Sequence, residues 1–108
     1  MNPWETHFLD DQSQCLLKLG RKEEAVQRLE KALRIKPREV WTRRRLAMLR
    51  FQLHGNAPAQ ETYAPLLLLA PRVSQFWKEM GDLKRAAGDL SSARQYQEQA
   101  LDLQKAGF

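Results

Sequence analysis

The chain has 108 residues, 43% of them hydrophobic and 29% charged, a balance typical of one globular domain and not of a disordered segment. Its longest purely apolar run, residues 66–70, is far shorter than the roughly 20 residues of a membrane-spanning helix, so we expect no membrane insertion. No basic segment followed by an apolar leader opens the sequence, and we therefore expect a cytoplasmic protein, unless the chain is a domain of a longer one.

The net charge of +5 is unevenly distributed along the chain. Residues 1–15 contain three acidic residues and no Lys or Arg, whereas residues 31–50 contain eight basic residues and a single acid, Glu39. Such asymmetry can steer an acidic partner toward the protein. A solvated helical face explains the same pattern equally well.

Helical periodicity runs along the chain, and glycine and proline residues divide it into six predicted helices. The first begins after an N-cap pattern at residues 2–5 and ends near Leu19, where Gly20 provides a left-handed stop. The second carries one apolar stripe and ends at Pro37, because proline cannot continue a helix.

The third helix is predicted to begin near Glu39 and to end at Gly55. The fourth begins near Pro58 and ends at Pro71, and Gly88 separates the fifth helix from the sixth. No segment alternates apolar and polar residues in a β-branched run, so we expect no strands.

Pro65 lies inside the predicted fourth helix, where it removes one backbone hydrogen bond and crowds the carbonyl group of Glu61. It predicts either a bend that is tolerated near the helix end or a kink that reshapes the whole molecule. The first interpretation is favoured.

The pattern of glycine and alanine residues in and before the second helix recurs in and before the sixth. Its glycine and its alanines recur at one constant offset, with Gly20, Ala25 and Ala32 matched by Gly88, Ala93 and Ala100. Pro37 also recurs, as Pro71, at half of that offset. Ala25 and Ala32 are two helical turns apart, so both lie on one face and allow a neighbouring helix to approach closely. The pattern therefore indicates a structural repeat.

These residues resemble three tetratricopeptide (TPR) repeats, a family whose repeat is about 34 residues long. Trp77 and Gly81 match the Trp-x2-Leu-Gly opening of the family. The first repeat lacks that opening and has Leu9 at the Trp position, while the second has Arg43 there and Leu66 in place of the second alanine. The three repeats would form a single domain over residues 1–108 and cover residues 6–39, 40–73 and 74–107.

The resemblance implies an all-α fold, a right-handed α-solenoid of three antiparallel helix pairs with a concave groove lined by the first helix of each pair. On this chain the lining residues would include His7, Asp11, Leu17, Phe51, Gln75 and Glu79. The residues that we expect to contact a peptide are Asp10, Gln14, Lys18, Trp41, Arg44, Arg45, Met48, Gln52, Lys78, Asp82 and Arg85.

The stripe on the third helix is the most informative part of this predicted groove. Trp41, Arg45 and Met48 combine an aromatic anchor, a guanidinium group and an adaptable thioether, which are residue types favoured at binding hot spots. The hypothesis is that the groove binds an extended or helical segment of another protein with acidic and bulky apolar residues, and that Arg44 and Arg45 pair with its carboxylates. The alternative is that Trp41 and Met48 pack between adjacent repeats.

Co-chaperone TPR domains hold the C-terminal carboxylate of heat-shock proteins with a clamp of Lys and Asn residues. The corresponding positions in this chain are Asp10, Gln14, Arg45, Gln75 and Glu79. Because two acids stand where basic groups should be, the sequence argues against a clamp of this kind.

Catalysis is not indicated by the sequence. His7 and His54 fall in different repeats, and Cys15 is expected to face the packed interior. We find no catalytic set, no metal-ligand spacing and no phosphate-binding loop, so we expect no enzyme, no metal and no cofactor.

The sixth helix could cap the end of the array. Gln97 aligns with Leu29 and Tyr63 of the earlier repeats and would make this face polar. If the cap is incomplete, Tyr96, Leu103 and Phe108 would be available to a partner subunit in a homodimer.

The sequence therefore predicts a non-catalytic protein-interaction module, such as an adaptor, chaperone or assembly factor. One alternative is a structural scaffold that associates with itself end to end. A less favoured one is a nucleic-acid binder that uses the basic residues 31–50, with Trp41 and Phe51 stacking on bases.

Overall fold

The computed structural model describes residues 5–107, except for the side chain of Thr6. The N-cap predicted before Glu5 and the partner contact predicted for Phe108 lie outside the described residues. The described residues form six helices, which are α1 (Glu5–Lys18), α2 (Lys22–Ile35), α3 (Val40–His54), α4 (Asn56–Leu69), α5 (Ser74–Ala86) and α6 (Leu90–Lys105). No strand occurs between residues 5 and 107, so the all-α prediction is confirmed.

The helices form three pairs, α1 with α2, α3 with α4 and α5 with α6, and consecutive pairs pack through α2 against α3 and α4 against α5. The molecule is elongated, with principal extents of 39 × 28 × 20 Å. This arrangement is the predicted α-solenoid of helix pairs.

The predicted breaks lie where the helices end, with one difference. Gly20 and Gly88 occupy equivalent turns and have φ angles of 77° and 86°, a left-handed conformation that residues with a Cβ rarely adopt. The fourth helix begins at Asn56, immediately after Gly55, so that Pro58 lies in its first turn as predicted, and Asn56 belongs to the helix and not to the break. It continues through Pro65 to Leu69, so this proline is accommodated inside the helix.

The two proline turns have equivalent surroundings. The Arg43 guanidinium donates from Nη2 to the carbonyl oxygen of Pro37 at 2.9 Å, and the Trp77 indole donates from Nε1 to the carbonyl oxygen of Pro71 at 2.8 Å. Both donors stand six residues after their proline. Arg43 therefore makes, in the second repeat, the hydrogen bond that the family tryptophan makes in the third.

The core lies between the helix pairs, in two apolar clusters. The first joins α2 to α3, and the second joins α3 and α4 to α5. The first consists of Ala25, Val26, Leu29, Leu46 and Leu49, and the second of Ala47, Ala59, Tyr63, Leu66, Phe76, Met80 and Leu83. Each pair thus buries its apolar stripe against a neighbour, as expected of a solenoid.

Cys15 was predicted to face the packed interior, and this prediction is wrong because its side chain is exposed. The equivalent residues of the later repeats, Leu49 and Leu83, are only 3% and 6% exposed. In those repeats the preceding helix pair covers the position, whereas no described pair precedes α1. The prediction placed Cys15 on the correct face of α1, the face that packs against a preceding helix pair in the other repeats. It did not allow for the absence of such a pair before α1 among the described residues.

Gly81 allows α5 to approach α6 closely. A Cβ added to it would lie 3.0 Å from Cγ of Gln97 and 3.2 Å from the carbonyl oxygen of Ala93 on α6. The equivalent residues are Ala47 and Ser13, both fully buried. A methyl group at position 81 would thus require α6 or the Gln97 side chain to move by a few tenths of an ångström.

We predict that Gly81→Ala destabilises the protein by about 1–3 kcal/mol, because α6 must move away from α5 to admit the methyl group. Helix propensity alone predicts the opposite sign, a gain of about 1 kcal/mol. Urea unfolding of the two proteins decides between these outcomes. A more stable variant would show that the contact has room to relax.

Asp89 caps α6 at its N-terminus. Its Oδ1 atom accepts a hydrogen bond from the backbone N–H of Ser92 at 3.1 Å, whereas the N-cap residues of α2 to α5 make no such side-chain bond. The backbone hydrogen bond from Ser92 holds the pKa of Asp89 below its usual value of 3.8. The ionised carboxylate thus stabilises the start of the last helix.

We predict that Asp89→Ala lowers the melting temperature at neutral pH. A carboxylate whose pKa is lowered by folding contributes stability above its unfolded pKa, here 3.8, and loses that contribution as the pH falls through its folded pKa. The difference between wild type and variant should therefore shrink below about pH 4. Asp102→Ala is the control, because this exposed acid near the other end of α6 has no N-terminal amide to cap. A difference that persists in acid would contradict the assignment.

Candidate functional site

The predicted peptide-contacting residues all lie on α1, α3 and α5, the first helices of the three pairs. We call the surface that these helices build the first-helix face. Its half-buried members are Asp10, Arg44, Arg45 and Met48, and its exposed members are Gln14, Lys18, Trp41, Gln52, Lys78, Asp82 and Arg85.

Two ion pairs cross the first-helix face and join consecutive repeats. Nη1 of Arg45 lies 2.5 Å from Oδ1 of Asp10, and Nε of Arg44 lies 2.7 Å and 3.0 Å from the two carboxylate oxygens of Glu79. The arginines that were predicted to pair with carboxylates of a partner thus already have carboxylates from the neighbouring repeats. A partner's acid would have to share or displace them.

The clamp positions are largely bonded to one another. Asp10 pairs with Arg45, and Gln75 donates from Nε2 to Oε1 of Glu79 at 2.9 Å. Only Gln14 of this set is exposed without a side-chain bond among the described residues. The face therefore presents neutralised pairs where a carboxylate clamp would present free cations.

The aromatic ring of Tyr63 is packed beneath the Arg44–Glu79 pair. Its hydroxyl group is buried and has no hydrogen-bonding partner among the described residues. Burial raises the pKa of the Tyr63 phenol, the charge of Glu79 raises it further, and the charge of Arg44 opposes the shift. The hydrogen bond to Glu79 raises the pKa of Arg44, so this guanidinium group stays charged at neutral pH.

Trp41 belongs both to the surface and to the contact between repeats. Its ring meets that of Phe76 on α5 edge-on, with centroids 5.2 Å apart, and Phe76 in turn meets Tyr63 at 6.2 Å. Trp41 nevertheless keeps 51% of its surface exposed. The indole is thus anchored by the next repeat and remains available to a partner.

A small cavity of about 210 Å³ opens between α3 and α5. Met48, Phe51, Leu83 and Ala86 form its apolar wall, and the carboxylates of Glu79 and Asp82 also line it. Leu83 and Ala86 were missed by the sequence analysis, because the apolar stripe of the fifth helix marked Leu83 only as a core residue. A pocket of this kind can receive one bulky apolar side chain.

The other predicted residues are spread over the face or bonded near its end. Gln97 on α6 accepts a hydrogen bond from Nη2 of Arg85 at 2.7 Å and donates to Oδ1 of Asp82 at 3.4 Å. Gln14, Lys18 and Gln52 are exposed and line no part of the cavity. The structure thus gathers Met48 and Asp82 into one pocket and leaves these three residues outside it.

The basic segment, residues 31–50, is less available than its composition suggests. Arg44 and Arg45 are ion-paired, and Arg43 donates to a backbone carbonyl. Arg50 bonds to Oε1 of Glu30 at 2.8 Å and to Oγ1 of Thr62 at 2.6 Å. These four bonded arginines are half of the eight basic residues in the segment.

Residues 5–107 contain no cluster of three or more His, Cys, Asp or Glu side chains that could hold a metal ion. His7 and His54 are exposed. In the same part of the chain, no helix combines the length and apolar character needed to cross a bilayer.

The family model of the tetratricopeptide repeat matches residues 8–39 and 75–106, which together make up more than half of the chain. The chain belongs to the tetratricopeptide repeat family. The matches fall on the predicted first and third repeats, and the section between them carries Arg43 and Leu66 in place of the family tryptophan and alanine. None of the curated proteins matches the sequence.

Solved TPR structures share the fold. The first TPR domain of Spaghetti (RPAP3), bound to the HSP90 peptide SRMEEVD, has a TM-score of 0.82 at 19% identity and covers 100% of this chain and 86% of its own. The second Spaghetti TPR, bound to the same peptide, has a TM-score of 0.78 at 19% identity and covers 92% of both chains. MamA has a TM-score of 0.86 at 14% identity, over 97% of this chain and 61% of MamA. At these identities the likeness establishes the fold alone.

We predict that the ion pair between Arg44 and Glu79 couples the second repeat to the third. A double-mutant cycle with Arg44→Met and Glu79→Gln should give a coupling energy of about 0.5–1.5 kcal/mol, because both side chains are largely covered. The exposed pair of Arg21 and Glu24 within α2 is the matched control and should give less than about 0.5 kcal/mol. Equal couplings would mean that the pair between repeats contributes no more than a surface contact.

Proposed function

We propose that this chain is a non-catalytic protein-interaction module that binds a short segment of another protein on its first-helix face. The observation that carries the proposal is the apolar cavity between α3 and α5. Trp41, two helical turns before Met48 on the same helix, adds an indole that is half exposed although Phe76 anchors it. An immobilised aromatic ring offers contact area at little cost in conformational entropy.

The bound segment would place one bulky apolar side chain in the cavity, against Met48 and Phe51. The carboxylates of Glu79 and Asp82 at the cavity disfavour an acidic residue at that position. Acidic residues of the segment would lie nearer to Arg44 and Arg45, where they would share the guanidinium groups with Glu79 and Asp10. The remaining predicted residues, Gln14, Lys18, Gln52, Lys78 and Arg85, would supply polar contacts along the face.

The mode of binding would differ from capture of a terminal carboxylate. The Spaghetti TPR domains are bound to the HSP90 peptide SRMEEVD, so this fold accommodates a short acidic peptide. In this chain, however, the clamp positions carry Asp10 and Glu79, and both are already paired with arginines. We therefore propose that the apolar anchor supplies most of the affinity and that an internal segment binds as well as a terminal one.

Selection from a phage-displayed library of random peptides tests the module directly. We predict that the selected peptides share a bulky apolar residue, and that Met48→Arg and Trp41→Ala each weaken their binding at least about tenfold by calorimetry. Leu68→Arg is the matched control for the first substitution, because Leu68 is 86% exposed on α4, and it should leave affinity unchanged. Equal effects of the two arginine substitutions would remove the cavity from the site.

The role of the terminal carboxylate is tested with the peptide SRMEEVD as free acid and as C-terminal amide. If it binds at all, the two forms should differ by less than about twofold, because no free cations are presented at the clamp positions. A strong preference for the free acid would show that a partner carboxylate displaces Asp10 or Glu79.

We further propose that the chain acts as an adaptor, chaperone or assembly factor in the cytoplasm. Each of these roles requires a surface that binds another protein, and the first-helix face would supply it. Nucleic-acid binding has less support, because half of the basic residues of segment 31–50 are already bonded within the protein.

A further inference from the structure

The two ion pairs between repeats follow one rule. Each joins the fifth residue of one repeat to the sixth residue of the next, 35 residues further along the chain. The charge of the fifth residue changes sign from the first repeat to the second, because Asp10 is acidic and Arg44 is basic. The series continues to the last repeat, whose fifth residue is Lys78.

Both ends of this series lack an ion-pair partner among the described residues. Lys78 is exposed on α5, and Asp11, the sixth residue of the first repeat, is exposed on α1. Neither has an ion-pair partner among residues 5–107. In two copies stacked with the spacing of the repeats, Lys78 of one copy lies opposite Asp11 of the next. The charges at these two ends are complementary.

The α1 end also exposes apolar side chains. Phe8 is 60% exposed, whereas Phe76, which holds the same position in the third repeat, is fully buried against the second repeat. Cys15 is exposed, although its equivalents Leu49 and Leu83 are covered. We call Phe8, Asp11, Cys15 and Leu19 the α1 end surface; Leu19 is 69% exposed. Each of these positions faces a preceding repeat elsewhere in the array.

The opposite end of the array is open in the same way. Leu101 is 55% exposed, whereas its equivalents Leu33 and Leu67 pack against the two core clusters. Cavities of about 310 and 360 Å³ flank Gln97, and Lys78 lines the first of them. We call Lys78, Leu90, Gln97 and Leu101 the α6 end surface. Tyr96, which was predicted to seek a partner, instead packs against the core and against Trp77 at 5.8 Å.

We propose that a second copy of this chain occupies the α6 end surface with its α1 end surface, so that the solenoid continues from one molecule into the next. The ion pair of Lys78 with Asp11 would fix the register, and Phe8 would lie on Gln97 as Phe76 lies on Tyr63. The contact is heterologous, since different surfaces meet, and it therefore produces an open stack or a ring and not a closed dimer. Its surfaces lie outside the apolar cavity, and Lys78 is the one residue that they share with the peptide contacts proposed above.

Charge exchange tests the stack. Sedimentation velocity at low salt, over about 10 μM to about 1 mM protein, should show the wild type associating as its concentration rises, and less so at about 0.5 M salt. Lys78→Glu or Asp11→Lys should weaken association at least about tenfold, because like charges then face each other. Carrying both substitutions in one chain, or mixing the two single variants, should restore it to within about threefold of wild type.

Lys31→Glu is the matched control, because it changes the net charge as Lys78→Glu does but lies exposed on α2. It should leave association within about twofold of wild type, and so should Met48→Arg in the peptide site. Circular dichroism melts establish that each variant is folded. A wild type that stays monomeric at about 1 mM would overturn the proposal, as would single variants without effect or a double variant that fails to recover. These outcomes would mean that something other than a second copy covers the ends.

Discussion

The structure depends on the contact between consecutive helix pairs. Both apolar clusters contain residues from two repeats, and the buried side chains of Leu29 and Tyr63 pack against the next repeat. Close approach within a pair requires small side chains, which explains why alanine or glycine recurs at Ala25, Ala59 and Ala93 and at Gly81. The constant period of the sequence is thus the consequence of one geometry applied three times. The first-helix face follows from it, because the same packing that builds the core places α1, α3 and α5 side by side.

The features set by local chemistry could be predicted from the sequence. Prolines that cannot continue a helix and glycines that accept a left-handed turn fixed most boundaries, and recurring alanines fixed the pairing of helices. The exposure of Cys15 could not be predicted in this way, because periodicity treats each repeat as if it had two neighbours. The start of α4 was predicted closely, because Gly55 makes the turn and Pro58 is compatible with the first turn of the helix that follows.

The sequence predicted which helices form the first-helix face, but it did not predict the ion pairs between repeats on that face. Arg44 and Arg45 were assigned to a partner's carboxylates because each was considered within its own helix. Their actual partners lie one repeat and one residue away, a separation that the period makes visible only when positions in neighbouring repeats are compared. The cavity depends on the same comparison, since Met48 and Phe51 on α3 meet Leu83 and Ala86 on α5. Pattern analysis finds which residues share a face, while contacts between repeats decide which of them remain available.

The alternation of charge has a consequence for how repeats recognise one another. If the third repeat packed directly on the first, Asp10 would lie opposite Glu79, and two carboxylates would face each other where each now meets a guanidinium group. The charges of the ion pair at each junction therefore favour this order of the repeats, in addition to the shape of the apolar core. Lys78 opposite Asp11 obeys the same code, whereas Lys78 opposite Arg45 would violate it. A stack built on this rule would accept a new copy only at its end and only in register, because every other placement sets like charges together or leaves Phe8 and Leu101 uncovered.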